Sequence, residues 1–84
     1  MPTMQYRFVM IGRCPVDNSI DSYDVLVESP TTIMAELILQ FLGHTIDKPA
    51  TQERLTEALR HFLGGQCRVT STGMHSGIHT TVTI

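Results

Sequence analysis

A cysteine and two carboxylates lie close together in the N-terminal part of the sequence. Cys14 stands in the run Arg13-Cys14-Pro15, with Asp17 and Asp21 downstream. A thiolate beside a guanidinium is an activated nucleophile, and a carboxyl group such as Asp21 can donate or accept a proton. Free cysteines are also often small buried residues without chemistry, so a structural role for Cys14 stays open beside the catalytic one.

Two histidines, His75 and His79, form an H-x3-H pair near the C-terminus. Residues four apart on one strand share a face, but Ser76-Gly77 between them is a turn signal. Zinc would need a third ligand, such as Cys14 or His44. Since no CxxC or HExxH pattern accompanies the pair, no metal site is predicted.

Glu28 is a candidate ligand-binding residue because it stands at the end of a predicted strand, just before Ser29. Its carboxylate is suited to hydrogen-bond a ligand ring. Alternatively, it stabilises the N-terminus of the following helix electrostatically. Gly64-Gly65 follows a predicted helix and does not precede one, so no phosphate-binding loop is predicted.

Length and composition predict one globular domain over residues 1–84. The chain is 42% hydrophobic, which is enough for a core, and its net charge is −2. Nucleic-acid binding is not expected, since the six Lys and Arg form no basic stripe, aromatic residues make up 6% and tryptophan is absent.

The longest apolar run, Ile33 to Leu42, is interrupted by Glu36 and Gln40. It is far shorter than the roughly 20 residues that span a bilayer, so no membrane association is predicted. The N-terminus lacks the features of a signal peptide, and we expect a cytoplasmic location. The two cysteines would then stay reduced.

The clearest amphipathic helix is predicted over Thr51 to Leu63. Its apolar stripe consists of Leu55, Ala58, Leu59, Phe62 and Leu63. Another helix is predicted to begin at Ser29-Pro30, with Ser29 as N-cap, and to run to about Leu42 before Gly43.

Strands are predicted from alternating apolar residues at Met4 to Ile11, Tyr23 to Glu28, Gln66 to Thr72 and Ile78 to Ile84. The fold class is therefore α+β with the order ββααββ: a four-stranded antiparallel sheet with two antiparallel helices packed on one face. The other face would expose Val9, Ile11 and Leu26 to water, which predicts a homo-oligomer.

This element order and the stretches Cys14-Pro15, Asp21 and Glu28-Ser29 resemble the tunnelling-fold (T-fold) superfamily, in particular the nitrile reductases of queuosine biosynthesis. The resemblance implies a covalent nucleophile at Cys14, a proton donor at Asp21 and a ring-anchoring carboxylate at Glu28. It also implies subunits whose sheets close into a barrel, with a pterin- or purine-like ring bound at their junctions. The lysines that help this family bind NADPH are replaced by Pro30 and Ile33, so no cofactor is predicted.

A second stretch, Gln52 to Thr56, is similar to the second helix of GTP cyclohydrolase, another T-fold enzyme. Thr81-Val82-Thr83 is similar to its closing strand, and His75 matches its turn histidine as a ligand-binding candidate. The pterin-anchoring Glu of that enzyme falls at Thr72, and its neighbouring zinc-ligand cysteine is absent.

Two functions remain open from the sequence. In the first, a small homo-oligomer binds a planar heterocycle at subunit junctions through Cys14, Asp21, Glu28 and His75. In the second, a non-enzymatic oligomeric or protein-binding module keeps the architecture without a catalytic site. The sequence does not decide whether the protein is an enzyme.

Overall fold

Four strands and two helices make up the computed structural model, which describes residues 3–84. In chain order the elements are β1 (Met4–Arg13), β2 (Ile20–Ser29), α1 (Ala35–Leu42), α2 (Gln52–Phe62), β3 (Arg68–His75) and β4 (Ile78–Thr83). The strands form one antiparallel sheet in the order β1-β2-β3-β4. The predicted α+β class, element order and sheet are confirmed.

One face of the sheet carries the core, and both helices pack on it. In β1 and β2 the inward residues alternate as the sequence predicts, because successive side chains of a strand point to opposite faces. Ile38 of α1 and Leu55 and Leu59 of α2 join them. The buried sheet residues on this helix-side face include Met10, Tyr23, Val25, Val27 and Val69.

The other face, here called the open face, is covered by no element between residues 3 and 84. Val9 is 54% exposed and Ile11 is 45% exposed, and Leu26 lies half-buried between them and β3. Threonines continue the face across β3 and β4, where Thr70 bonds Thr83 and Thr72 bonds Thr81 through their hydroxyls at 3.3 Å. The apolar open face predicted from the sequence is therefore present.

The predicted start of the first helix is wrong. Ser29 is the last residue of β2 and is buried, and its Oγ accepts a hydrogen bond from the backbone N–H of Thr31 at 3.2 Å. The serine thus stabilises a turn after a strand, a use of serine that competes with helix capping. The helix begins at Ala35, after Met34, which supplies no side-chain cap.

The second helix agrees with the sequence except in its buried face. Thr51 caps it by accepting a hydrogen bond from the N–H of Arg54 at 3.2 Å. Thr56 is fully buried, whereas the predicted core residue Ala58 is exposed. Thr56 is stable there because its hydroxyl donates to the carbonyl of Gln52 at 2.6 Å and bonds Ser71 Oγ at 2.7 Å.

Tyr23 lies across the backbone of the neighbouring strand, where Gly73 is its antiparallel partner. A Cβ at position 73 would lie 2.5 Å from Cδ1 and 2.8 Å from Cε1 of the tyrosine ring. On the other side, a Cβ at Gly12 would meet the ring at 3.2 Å and Leu55 Cδ2 at 3.0 Å. The two glycines therefore make the space that the aromatic ring fills.

We expect Gly73→Ala to lower the free energy of unfolding by about 1–3 kcal/mol, since the added methyl group overlaps a ring that cannot move away. Gly43→Ala is the matched control. A Cβ at Gly43 meets only ordinary contacts, at 3.6 Å and beyond, and the residue is already in the right-handed helical region. Urea unfolding of both variants checks this, and equal stability of the two would contradict the packing described.

Candidate functional site

Cys14 is the first residue after β1 and is held by its own backbone. Its N–H donates to the carbonyl of Ser19 at 2.8 Å, and its carbonyl accepts from the N–H of Asn18 at 2.9 Å. Asn18 takes a φ of 64°, which asparagine tolerates better than most residues. The connection between β1 and β2 is thus a short closed loop, shorter than the gap between the predicted strands Met4 to Ile11 and Tyr23 to Glu28. Cys14 is half-buried at the start of this loop.

Asp17 orders the tip of the same loop. Ser19 donates to Asp17 Oδ1 from its hydroxyl at 2.7 Å and from its backbone N–H at 3.0 Å. These two hydrogen bonds, with a smaller contribution from Cys14, lower the pKa of Asp17 to about 2. Asp17 is therefore an ionised structural residue of the loop that carries Cys14.

Asp21 stands on β2 opposite Gly12 and shares the helix-side face with Tyr23, two residues further on. Since Cys14 follows β1 directly, the antiparallel pairing of β1 with β2 brings the thiol and the Asp21 carboxylate to the same end of the sheet. The structure thus brings together two residues that the sequence predicts to act together.

His75 comes to this end from β3. Its Nδ1 lies 4.0 Å from Asp21 Oδ1, and its side chain is 62% exposed, against 19% for Asp21. The pair is an ion pair only when the imidazole is protonated. A contact with so exposed a histidine contributes little stability, so His75 stays near Asp21 but is free to change its side-chain conformation.

His79 does not join His75. The turn between them has positive φ at both Ser76 (51°) and Gly77 (82°), a combination typical of a two-residue hairpin turn. His79 pairs with Met74, one position from His75, and therefore lies on the open face. Among residues 3–84 no group of three or more His, Cys, Asp or Glu side chains is placed to hold a metal ion.

The N-terminal end of α2 lies opposite Cys14, Asp21 and His75 and is held there by Gln52. The Gln52 amide Nε2 donates to the carbonyls of Ser71 at 3.1 Å and Thr80 at 3.0 Å, and also contacts Ser71 Oγ at 3.2 Å. One side chain thus fastens the helix start to both β3 and β4.

These elements enclose a cleft of about 380 Å³, here called the Cys14 cleft. Its floor is Tyr23 on Gly73, its polar groups include Asp21 and His75, and Cys14 lies at its edge. The further lining residues are Pro15, Val16, Ala50, Thr51, Gln52, Glu53, Met74 and Thr80.

Tyr23 lines the cleft, although the sequence predicts it only as the first residue of a strand. Its alternation with Val25 and Val27 predicts burial, and it is indeed only 7% exposed. Burial raises the pKa of Tyr23, and the nearby Asp21 carboxylate adds to the rise, followed by Cys14. The sequence did contain a signal for this role: Tyr23 is two positions after the candidate acid Asp21, and residues i and i+2 of a strand lie on the same face.

Glu28 is absent from the Cys14 cleft. It lies seven residues beyond Asp21 on β2, which is about 23 Å along an extended strand. It is also on the open face, where Gln5 Nε2 donates to its Oε2 at 3.4 Å. Within one chain, Glu28 and Cys14 do not meet.

No helix between residues 3 and 84 is long and apolar enough to cross a bilayer.

Comparisons with known proteins yield a likeness in structure. No family model matches the chain, and no curated protein matches it. A solved structure, the crystal structure of the archaeosine synthase QueF-Like in the apo form, superposes with a TM-score of 0.88 at 17% sequence identity. The match covers 100% of this chain and 93% of that chain. The chain therefore shares the fold of that structure, in agreement with the ββααββ architecture predicted from the sequence.

Proposed function

We propose that the protein is a homo-oligomer that binds a planar pterin- or purine-like heterocycle in the Cys14 cleft. The observation that carries the proposal is the convergence of Cys14, Asp21 and His75, from three different segments, around one aromatic-floored cleft. Sites for small molecules are typically concave, largely apolar, and equipped with a few convergent polar groups.

The size and chemistry of the cleft suit such a ring. Its volume of about 380 Å³ falls within the roughly 300–1,000 Å³ typical of ligand sites. The Asp21 carboxylate is an acceptor for a ring N–H, and the His75 imidazole can donate or accept. The apolar faces of the ring would lie against apolar lining residues such as Pro15, Val16 and Met74, where they are shielded from water.

The structural neighbour supports the same ligand class. That protein is described as an archaeosine synthase, and its fold matches the whole length of this chain. At 17% identity the support is a fold-level analogy, so the residues of the cleft have to carry the assignment.

A subunit junction is proposed because one chain is incomplete in two respects. Its open face leaves Val9, Ile11 and Leu26 in contact with water. Glu28, the residue expected to anchor the ring, is also far from Cys14 in the same chain. A second copy that covers the open face would remove the first problem and could supply Glu28 for the second.

Covalent catalysis is the enzymatic form of this proposal. The Cys14 sulfur would add to the carbon of a nitrile attached to the bound ring; one π bond of the C≡N group breaks as the C–S bond forms, and Asp21 would deliver a proton to the nitrogen, which gives a covalent thioimidate. The half-buried position of Cys14 beside Asp21 at one end of the sheet supports these roles.

A non-enzymatic oligomeric or partner-binding module is the second candidate. The separation of Glu28 from Cys14 favours it, because a ring-binding catalytic site in one subunit would hold both. The two candidate functions predict different results with heterocycles: only the ring-binding protein should be stabilised by them. A cytoplasmic location remains a prediction from the sequence for either.

We expect 7-deazaguanine or a pterin to raise the melting temperature of the wild-type protein and to slow alkylation of Cys14, because the ring covers the thiol. Asp21→Asn should weaken both effects by about tenfold in ligand concentration, the cost of a lost hydrogen bond to a charged group. Glu57→Gln is the matched control, since it also turns a carboxylate into an amide but is exposed on α2, outside both the Cys14 cleft and the open face.

Alkylation is followed by mass spectrometry, with the buried Cys67 as the internal reference. A flat melting response across the panel, with Cys14 alkylated equally fast at all ligand concentrations, would rule out the ring-binding proposal and leave the non-enzymatic module.

We expect sedimentation at micromolar concentration to show an oligomer, because an apolar face of this kind is normally buried. Val9→Lys should shift the protein toward single subunits, since the charge would be buried at the junction. Leu39→Lys is the control: Leu39 is 65% exposed on α1, away from the open face. A stable single subunit in the wild type would contradict the shared-junction proposal.

A further inference from the structure

The Tyr23 hydroxyl is a polar group without a partner in a nearly buried side chain. The residue is 7% exposed, and its hydroxyl makes no hydrogen bond to any residue between 3 and 84. The chain contains two tyrosines, and Tyr6 behaves differently: its hydroxyl accepts the N–H of Ile33 at 2.7 Å. The Tyr23 ring is thus nearly buried, while its hydroxyl is free to bond a molecule that enters from solvent, an arrangement common for tyrosines at binding sites.

The position of this hydroxyl is restricted by packing. The ring lies against the backbone of Gly73 on one side and of Gly12 on the other; a Cβ added at these glycines would lie 2.5 Å and 3.2 Å from ring carbons. The ring therefore fills the space that side chains at both positions would need, and with the residue only 7% exposed its neighbours restrict its movement.

Tyr23 lines the Cys14 cleft together with Asp21 and Cys14, and burial and then the charges of both residues raise the pKa of Tyr23. Within the described residues, Arg13 Nε is the polar side-chain atom that is both sealed from solvent and unpaired. The Tyr23 oxygen is therefore accessible, and the cleft is the space that reaches it.

We propose that the Tyr23 hydroxyl donates a hydrogen bond to a ring carbonyl of the heterocycle in the Cys14 cleft, which makes Tyr23 a specificity-determining residue. The inference rests on the proposed function and narrows its ligand class to rings with a lactam edge, in which a C=O group stands next to an N–H group.

The neighbouring groups make Tyr23 a donor. Burial and the Asp21 carboxylate both raise the pKa of Tyr23, so the phenol keeps its proton at neutral pH. Asp21 is two residues away on the same face and is an acceptor when ionised. A donor beside an acceptor matches a carbonyl beside an N–H, the edge that guanine-like and pterin-like rings present.

The test compares two ligands and three proteins by calorimetry. The ligands are 7-deazaguanine and its 2,6-diamino counterpart, in which an amino group replaces the ring carbonyl. Tyr23→Phe keeps the packed ring and removes only the hydroxyl, and it should bind 7-deazaguanine about tenfold more weakly than wild type does. Both proteins should bind the diamino ligand with equal affinity, because it offers no carbonyl to the phenol.

Tyr6→Phe is the matched control. It also removes one tyrosine hydroxyl, but that group accepts a backbone N–H outside the cleft. We expect it to lower the melting temperature and to leave 7-deazaguanine affinity unchanged. Tyr23→Phe should keep the wild-type melting temperature and bind 7-deazaguanine more weakly, because the Tyr23 hydroxyl makes no hydrogen bond within residues 3–84 that the variant could lose.

A second measurement does not depend on the Tyr23→Phe variant folding well. In Tyr6→Phe, Tyr23 is the remaining tyrosine, so its 13C-labelled Cζ gives a single NMR signal. Either bound ring shifts this signal, but the shift should be clearly larger with 7-deazaguanine than with the diamino ligand, because only 7-deazaguanine has a carbonyl that accepts the phenol proton.

The failures are distinguishable. If wild type and Tyr23→Phe bind 7-deazaguanine equally, or the Cζ signal shifts no further with 7-deazaguanine than with the diamino ligand while both bind, the role of Tyr23 is overturned and the proposed function stands. If wild type binds neither ligand, both the proposed function and the role of Tyr23 are overturned.

Discussion

The packing of the Tyr23 ring on the backbone of Gly73 is the constraint on which the helix-side face depends. Any side chain at position 73 would occupy the space of the ring, as the 2.5 Å approach shows. The same ring lies near Gly12, where Leu55 of α2 also approaches, at 3.0 Å from a Cβ position. Tyr23 thus takes part in the pairing of β2 with β3, in the packing of α2 on the sheet and in the lining of the Cys14 cleft. A substitution that moves its ring would affect all three.

A small polar network fixes the second wall of the cleft. Thr56 and Ser71 share a buried hydrogen bond of 2.7 Å, and Gln52 reaches across them to the Thr80 carbonyl. Buried hydroxyls are costly when unpaired, so these bonds form only when α2 sits in one position on the sheet. Apolar contacts alone would tolerate small shifts of the helix. The network therefore determines where the helix start meets the cleft.

The sheet could be predicted from the sequence because a strand has only two faces. Once Tyr23 is assigned to the core, the facing of the rest of β2 follows. Helix boundaries depended on local chemistry that the pattern does not show. Ser29 is equally suited to cap a helix or to close a turn, and the choice was made by its burial at the end of β2. Thr56 replaced Ala58 in the core because Ser71, distant in sequence, offered its hydroxyl a partner.

The candidate site was predictable from the sequence where it depends on strand pairing and on the two faces of a strand. Cys14 and Asp21 flank a connection between paired strands, so any tight hairpin brings them together. Glu28 is on the same strand as Asp21, and an odd separation on a strand means opposite faces, which no loop adjustment can change. A single ring contacting both carboxylates therefore requires two copies of the chain, with the cleft of one subunit near the open face of the other. The proposed shared junction would account for both the apolar open face and the distant Glu28, whereas a single-subunit site would account for neither.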